Sequence, residues 1–214
     1  MNTSTKIILW SVLALFLVVL FVVDLNKKNK NRQQNTQRLV MMAVLVALSI
    51  VMLMLIRFPI FPSAAFLEYD PADIPIFLGT FAYGPLAGFA LTVVASIIQG
   101  MTVSAGSGFI GILMHIFATG SFVLVAGNWY KFHKTKKQAV VALVLGCLVM
   151  TVSMMVWNYF VTPIFMGMPR AAVAPMIFPI ILPFNLIKSG VNSLITFLLY
   201  KRFSKVRYLP LHSK

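Results

Sequence analysis

Apolar residues in this chain are gathered into blocks about as long as a helix needs to cross a lipid bilayer. A crossing takes about 20 residues, because the hydrocarbon core is about 30 Å thick and a helix rises about 1.5 Å per residue. The chain is 60% hydrophobic and 10% charged, whereas soluble domains are about half apolar and about a quarter charged. Backbone polar groups in lipid must bond within their own segment. We therefore predict an all-α membrane protein.

The apolar blocks divide the chain into an anchor and a bundle. The block at 7–23 is followed by basic residues and lacks a small-residue cleavage site, so we predict an uncleaved anchor helix within 1–25 rather than a signal peptide. A basic cytoplasmic linker is expected at 26–38, a six-helix bundle at 39–203 and a basic cytoplasmic tail at 204–214. The six spans of the bundle are expected at 39–56, 76–83, 86–103, 108–129, 139–161 and 180–200.

The distribution of charge predicts how the chain crosses the membrane. Basic residues form three clusters between apolar blocks, in the linker, at 131–137 and in the tail. Such clusters remain in the cytoplasm, and they account for the net charge of +14 without nucleic acid. We therefore expect a multi-pass cell-membrane protein with an extracytoplasmic N-terminus and a cytoplasmic C-terminus. The acidic residues Glu68, Asp70 and Asp73 then fall in an outside loop, 57–75.

Lys188 lies inside the last apolar block, where a charged side chain costs at least about 2.5–3.5 kcal/mol at the membrane centre. Asn185 and Asn192 share its helical face at positions i−3 and i+4. If the regular helix begins near Pro183, Lys188 lies roughly 8 Å inside the membrane, and Asn158 is expected at a comparable depth. We predict that these groups face a ligand. The alternative is that the lysine snorkels and the amides join helices.

The outside loop and the end of the fifth span supply further candidates. Glu68 is interpreted as a solvated side chain. Asp70 and Asp73 stand near the start of the second span, where a carboxylate caps helix N–H groups or meets a ligand, and capping is favoured for Asp73. Trp157 and Tyr159 fit either an aromatic belt at the membrane interface or a wall for a planar ligand.

Motifs of enzymes are missing from the sequence. Its three histidines are far apart, no H-E-x-x-H pattern occurs, and neither a phosphate-binding P-loop nor a G-x-S-x-G elbow is present. The single cysteine, Cys147, excludes a disulfide within the chain. With no carboxylate expected inside a helix of the bundle, proton coupling is not predicted. We predict no enzymatic activity, no metal and no cofactor, and any uphill transport must draw energy from another subunit.

Four stretches between about residue 39 and residue 203 resemble the substrate-binding S components of energy-coupling factor (ECF) vitamin transporters. They are FLEYDPADIP at 66–75, GPLAG at 84–88, the Asn158-Tyr159 pair and LPFNLIK at 182–188. The Gly-Pro-x-Ala-Gly turn is shared across that superfamily. The Asn-x-x-Lys of the last span, taken with Asn158, is similar to the riboflavin-specific group.

The resemblance implies a transport mechanism. The protein would capture riboflavin, as transported substrate and not as a cofactor, from outside and dock on an EcfT-type membrane subunit, while two ATPase subunits power release. Ala43 and Ala47 match the Ala-x-x-x-Ala docking surface of that family, and His115 stands where relatives carry an amide. From the resemblance and the polar face of the last span together, the predicted substrate-binding residues are Asp70, His115, Asn158, Asn185, Lys188 and Asn192.

Two other functions remain open at this point. An S component for a different vitamin would share the same bundle. A membrane scaffold subunit would use the polar face of the last span only to pack helices.

Overall fold

The computed structural model describes residues 32–203 of the chain, with side chains described over 36–200. The predicted anchor helix at 7–23 and the predicted basic tail at 204–214 lie outside the described residues. The chain separates into two compact units, Met1–Val40 and Met41–Lys214. The contacts given below belong to the second unit.

Each of the six predicted spans of the bundle forms a helix. These helices are α1 (Arg32–Leu55), α2 (Asp73–Tyr83), α3 (Pro85–Met101), α4 (Gly108–Phe132), α5 (Lys136–Phe160) and α8 (Leu182–Phe203). Helix α1 begins before the expected residue 39, so the end of the predicted linker is helical.

Short elements connect the helices. The α1–α2 loop contains β1 (Phe58–Pro59), which pairs antiparallel with β2 (Glu68–Tyr69), and a 3-10 turn at Pro62–Ala64. A second 3-10 turn, Ala105–Ser107, precedes α4. Between α5 and α8 lie α6 (Thr162–Met166), α7 (Arg170–Val173), a 3-10 turn at Ala174–Met176 and a π turn at Ile177–Ile181.

The helices confirm an all-α membrane protein. Four helical stretches of the described chain are long and apolar enough to cross a bilayer: Thr36–Leu55, Ala105–Phe132, Lys136–Phe160 and Arg170–Tyr200. Helix α3 is apolar but shorter, with 17 residues. Large apolar side chains such as Val44, Leu48 and Leu194 are exposed on the bundle surface. In a membrane protein these side chains meet lipid rather than water.

The Gly-Pro pair after the second span separates α2 from α3, as predicted. Gly84 ends α2 with φ 93° and donates its N–H to the Thr80 carbonyl at 2.8 Å. Positive φ carries no steric penalty for glycine. Pro85 then begins α3, at a position where the missing N–H of proline costs nothing. Gly88 lies against the Thr80 side chain, and a Cβ there would overlap it.

The start of α2 corrects two expectations. The helix begins at Asp73, three residues before the predicted residue 76, and the Asp73 side chain is fully buried. The bundle therefore does contain a carboxylate within a helix. Asp73 does not cap α2 either. Asp70 accepts the Ala72 N–H at 3.1 Å instead, while Asp73 points into the bundle.

The main apolar core joins side chains of α2, α3, α4 and α5, with Val46 of α1 and Tyr200 of α8 at its edge. Phe77 of α2 stacks on Phe122 of α4 with ring centroids 3.7 Å apart and planes 8° from parallel. Gly146 of α5 packs directly against the Phe122 ring, with space for no larger residue without movement. This packing holds α4 and α5 close together at Phe122 and Gly146.

Candidate substrate-binding site

A cavity of about 170 Å³ lies between α3, α4, α5 and α8, and the α1–α2 loop forms one of its walls. Its residues come from the first half of α4, the second half of α5 and the first half of α8. The cavity therefore lies at the end of the bundle opposite the basic loop 131–137. Its polar lining residues are Arg57, Glu68, Asp70, Gln99, Ser104, Ser107, His115, Thr119, Asn158, Thr162, Asn185 and Lys188.

Lys188 reaches this cavity from α8 and pairs with a carboxylate of the α1–α2 loop. Its Nζ donates to Asp70 Oδ2 at 2.7 Å, and the two side chains are 13% and 12% exposed. A lysine ammonium has three N–H donors, and within the described residues only one is used. Two donors therefore remain for a molecule in the cavity. The protein supplies a partner for Lys188 without filling the space beside it.

Two asparagines face the same cavity in similar local settings. Asn158 Nδ2 donates to the Met154 carbonyl at 2.8 Å, and Asn185 Nδ2 donates to the Ile181 carbonyl at 2.8 Å. Thr162 Oγ1 donates to Asn158 Oδ1 at 2.9 Å. Among the described residues, no donor bonds the Asn185 side-chain oxygen. Each amide is held by its own helix and keeps hydrogen-bonding capacity for a ligand.

His115 lines the cavity from α4 and is held by a buried polar cluster. Its Nδ1 lies 2.7 Å from Ser96 Oγ, and its Nε2 lies 3.3 Å from Asp73 Oδ1. Thr119 Oγ1 donates to the same Asp73 oxygen at 2.7 Å. The cluster joins α2, α3 and α4 and fixes the orientation of the imidazole ring. Thr119, which sequence reasoning did not select, is one helical turn after His115 and lines the cavity too. That i, i+4 spacing was the available signal.

Asn192 lies beneath the cavity rather than in its lining. Its Nδ2 donates to the Asp70 carbonyl at 3.1 Å, and its Oδ1 accepts from the Tyr69 hydroxyl at 3.0 Å. Burial raises the pKa of Tyr69, and the nearby Asp70 carboxylate adds to the effect, so the hydroxyl stays protonated and remains a donor. Asn192 thus attaches the Asp70 segment to α8. The structure brings five of the six predicted binding residues to the cavity and places Asn192 behind them.

A charged pair forms the most exposed of the charged groups in the lining. The Arg57 guanidinium donates through Nε and Nη2 to Glu68 Oε2, and through Nη1 to the Val103 carbonyl at 3.1 Å. Glu68, interpreted above as solvated, is therefore engaged in an ion pair. Arg57, two residues after α1, therefore links the two ends of the α1–α2 loop to the turn after α3. Sequence reasoning missed Arg57, since nothing in the spacing relates it to either partner.

Trp157 and Tyr159, the two aromatic candidates late in α5, lie in different environments. Trp157 lines the cavity and packs near Phe117, with ring centroids 5.5 Å apart. Tyr159 is 39% exposed on the bundle surface and contacts Phe160 edge-on. Trp157 therefore matches the wall interpretation, whereas Tyr159 matches a side chain at the membrane interface.

The predicted docking residues lie away from the cavity. Ala43 and Ala47 are both exposed on one face of α1, one helical turn apart. Ser49, two residues after Ala47, is fully buried and donates to the Ala72 carbonyl at 2.6 Å. Helix α1 therefore has an exposed surface that includes both alanines and a second face bonded to the loop that carries Asp70.

A bundle of apolar helices enclosing a cavity with a lysine, two amides and a histidine defines a membrane-embedded substrate-binding protein. Residues 37–200 match the family described as the ECF transporter, substrate-specific component. The chain belongs to this family, so it is a transport protein and not an enzyme.

Named relatives agree with this assignment. The chain is 33% identical over 186 residues to the riboflavin transporter RibU of Staphylococcus aureus, covering 84% of this chain and 97% of the relative. It is 28% identical to the riboflavin transporter RibU of Streptococcus thermophilus, over 78% of this chain and 82% of the relative. The riboflavin transporter FmnP of Bacillus subtilis is also 28% identical, over 77% of this chain and 90% of the relative.

A solved structure shares the fold. It is that of the S component of a bacterial ECF transporter, and it superposes on this chain with a TM-score of 0.70. The match covers 80% of this chain and 97% of the other at 33% identity.

Proposed function

We propose that this protein is the riboflavin-binding subunit of an ECF-type ABC transporter. It captures the vitamin on the extracytoplasmic side for ATP-driven uptake by partner subunits. The observation that carries this proposal is the convergence of Lys188, Asn158 and Asn185 on one cavity, in a chain whose relatives are named riboflavin transporters.

The lining matches the chemistry of a flavin. The pyrimidine edge of the ring system alternates carbonyl groups with an N–H, and it needs both donors and acceptors. The amides of Asn158 and Asn185 offer both, and the Lys188 ammonium donates to a carbonyl. Met154 and Phe184 supply an apolar wall for the dimethylbenzene end. His115 and Asp70 contribute further polar contacts at the same cavity, and Asn192 supports Asp70 from behind.

The size of the cavity adds a requirement. Pockets that enclose a whole cofactor-sized ligand measure about 300–1,000 Å³, whereas this cavity has about 170 Å³. Riboflavin binding therefore needs the cavity to widen.

Orientation and partners complete the proposal. The cavity lies opposite the basic loop 131–137, and basic loops remain cytoplasmic, so the cavity faces the extracytoplasmic side. The same rule gives an extracytoplasmic N-terminus and a cytoplasmic C-terminus. The face of α1 with Ala43 and Ala47 docks on an EcfT-type membrane subunit, and small residues there permit close helix approach. Two ATPase subunits then drive release.

Quenching of riboflavin fluorescence by the purified full chain in detergent tests the proposal. We expect saturable quenching by the wild-type protein and weaker binding by Asn158→Leu. Asn128→Leu is the matched control, because Asn128 Nδ2 also donates to a carbonyl of its own helix, Leu124 at 2.8 Å, but lies outside the cavity. If the protein does not quench riboflavin fluorescence but binds thiamine or biotin, it is an S component for another vitamin. Binding of none of the three would favour a scaffold.

A further inference from the structure

The charge at the cavity mouth is balanced by one ion pair. Arg57 and Glu68 are the most exposed charged residues of the lining, with side chains 33% and 35% exposed. The guanidinium directs its Nε and Nη2 edge to the Glu68 carboxylate. Its Nη1 is used by Val103 O at 3.1 Å and Ser104 Oγ at 3.4 Å. The Nε and Nη2 groups of Arg57, which together could bind an anion through two parallel hydrogen bonds, are therefore occupied by Glu68.

The remaining charge of the cavity is balanced in the same way. Among the described lining residues, the second cation is Lys188, and it pairs with Asp70 at 2.7 Å. Two cations thus face two carboxylates, and neither cation is without a carboxylate partner. Arg170, a further cation on this side of the bundle, lies over the Phe160 ring and is not part of the lining. Such a cavity suits a ligand that is polar but uncharged.

A phosphate monoester of the ligand is disfavoured inside this cavity because of its charge. It carries a charge of about −1.5 to −2 at neutral pH, and removing that charge from water without a partner is costly. The phosphate would therefore stay at the exposed mouth, beside Arg57. Arginine is the side chain best suited to bind a phosphate through two parallel N–H bonds. In this protein those two N–H groups already serve a carboxylate.

We infer that Glu68 is a specificity-determining residue that makes the site prefer the uncharged vitamin to its phosphate monoester. The inference rests on the proposed riboflavin-binding function and extends it to the choice between riboflavin and riboflavin 5′-phosphate. Glu68 occupies the anion-binding edge of Arg57 and adds a negative charge where the phosphate would lie. Both effects act on the charge of the phosphate, which riboflavin does not carry.

The test compares the dissociation constants of the two flavins on the purified full chain at low ionic strength. Glu68→Gln frees the guanidinium, and we expect the preference for riboflavin over its phosphate to fall about tenfold, for a doubly charged group roughly 6 Å from the altered charge in water. Arg57→Gln leaves the carboxylate alone and should raise the preference. The double variant Arg57→Gln/Glu68→Gln should return towards the wild-type ratio. Arg170→Gln is the control and should leave the ratio unchanged.

Salt gives an independent readout. Because the pair is exposed, raising the salt concentration to about 1 M, where the screening length is about 3 Å, should remove most of the Glu68→Gln effect. A Glu68→Gln protein that binds riboflavin normally and keeps the wild-type ratio would overturn the inference while leaving the proposed function intact. A wild-type protein that quenches neither flavin would remove both.

Discussion

Replacing Lys188 with methionine tests whether its ammonium serves the ligand or only the fold. Methionine keeps an unbranched apolar side chain, one heavy atom shorter than that of lysine, and removes the charge. In the structure this deletes the 2.7 Å bond to Asp70 and leaves a carboxylate that is only 12% exposed without its cation. Loss of ligand binding in this variant alone is ambiguous, because an orphaned buried carboxylate also disturbs the loop. The double variant Asp70→Asn/Lys188→Met resolves the ambiguity.

We expect Lys188→Met and the double variant Asp70→Asn/Lys188→Met to differ in the free energy of unfolding. Breaking a buried ion pair by removing one partner costs about 3–5 kcal/mol, and the residual exposure of both side chains places Lys188→Met near the lower end. Removing both charges leaves no unpaired ion, so the double variant should unfold within about 1 kcal/mol of the wild type.

We expect the same two variants to have similarly weakened affinities for riboflavin. A hydrogen bond from a charged donor contributes about 1.5–3 kcal/mol, which corresponds to a dissociation constant raised about 10- to 150-fold. Both variants lack the ammonium, so both should bind riboflavin this much more weakly.

Two measurements on the same detergent preparations decide the outcome. Thermal unfolding without ligand should show a lowered midpoint for Lys188→Met and a nearly restored one for Asp70→Asn/Lys188→Met. Riboflavin titration should show weakened binding for both. A double variant that binds riboflavin with wild-type affinity would refute the reasoning, because Lys188 would then serve only to neutralise Asp70.

Three further substitutions test other parts of the structure. Asn192→Leu removes the hydrogen bonds to the Asp70 carbonyl and the Tyr69 hydroxyl. Riboflavin affinity in the titration should then fall about fivefold, which corresponds to about 1 kcal/mol of lost hydrogen bonding. Unchanged affinity would show that the attachment of Asp70 to Asn192 does not contribute to binding. Ala47→Leu should abolish co-purification with an EcfT-type subunit while riboflavin binding persists, whereas Leu48→Val, which is exposed about 100° further around α1, should alter neither. Loss of riboflavin binding in Ala47→Leu would contradict a docking role. Gly88→Ala forces a Cβ into the Thr80 side chain of α2 and should lower the free energy of unfolding by about 1–3 kcal/mol. Gly106→Ala is the control, because no atom lies within 4 Å of the added Cβ. Equal thermal midpoints for the two variants would refute this prediction.

The sequence predicted the helices well because lipid imposes a simple rule. Any segment of about 20 apolar residues must satisfy its own backbone hydrogen bonds, and a helix does so. The break at Gly84-Pro85 was predictable for an equally local reason, since neither residue continues a helix well. The shared face of Asn185 and Lys188 followed from helical periodicity alone.

Contacts between distant segments were not predictable from one sequence. The partner of Lys188 is 118 residues away in the chain, and the partner of Asn192 in the same loop is 123 residues away. Periodicity places Asn192 on the face of Lys188 but does not show that the cavity ends above it. Asp73 was misassigned for a related reason. An acidic residue at the first helical position fits a helix start, and only the packed bundle brings Thr119 to it.

The position of Trp157 in the cavity wall makes occupancy of the site observable without a label. An indole in van der Waals reach of a bound flavin loses its emission to the flavin, whose absorption overlaps it. The chain has three tryptophans, at positions 10, 129 and 157, and Trp129 lies next to the basic loop at the opposite end of the bundle. A protein in which the other two are replaced by phenylalanine would report capture and release of its cargo through one native chromophore, in vesicles as well as in detergent.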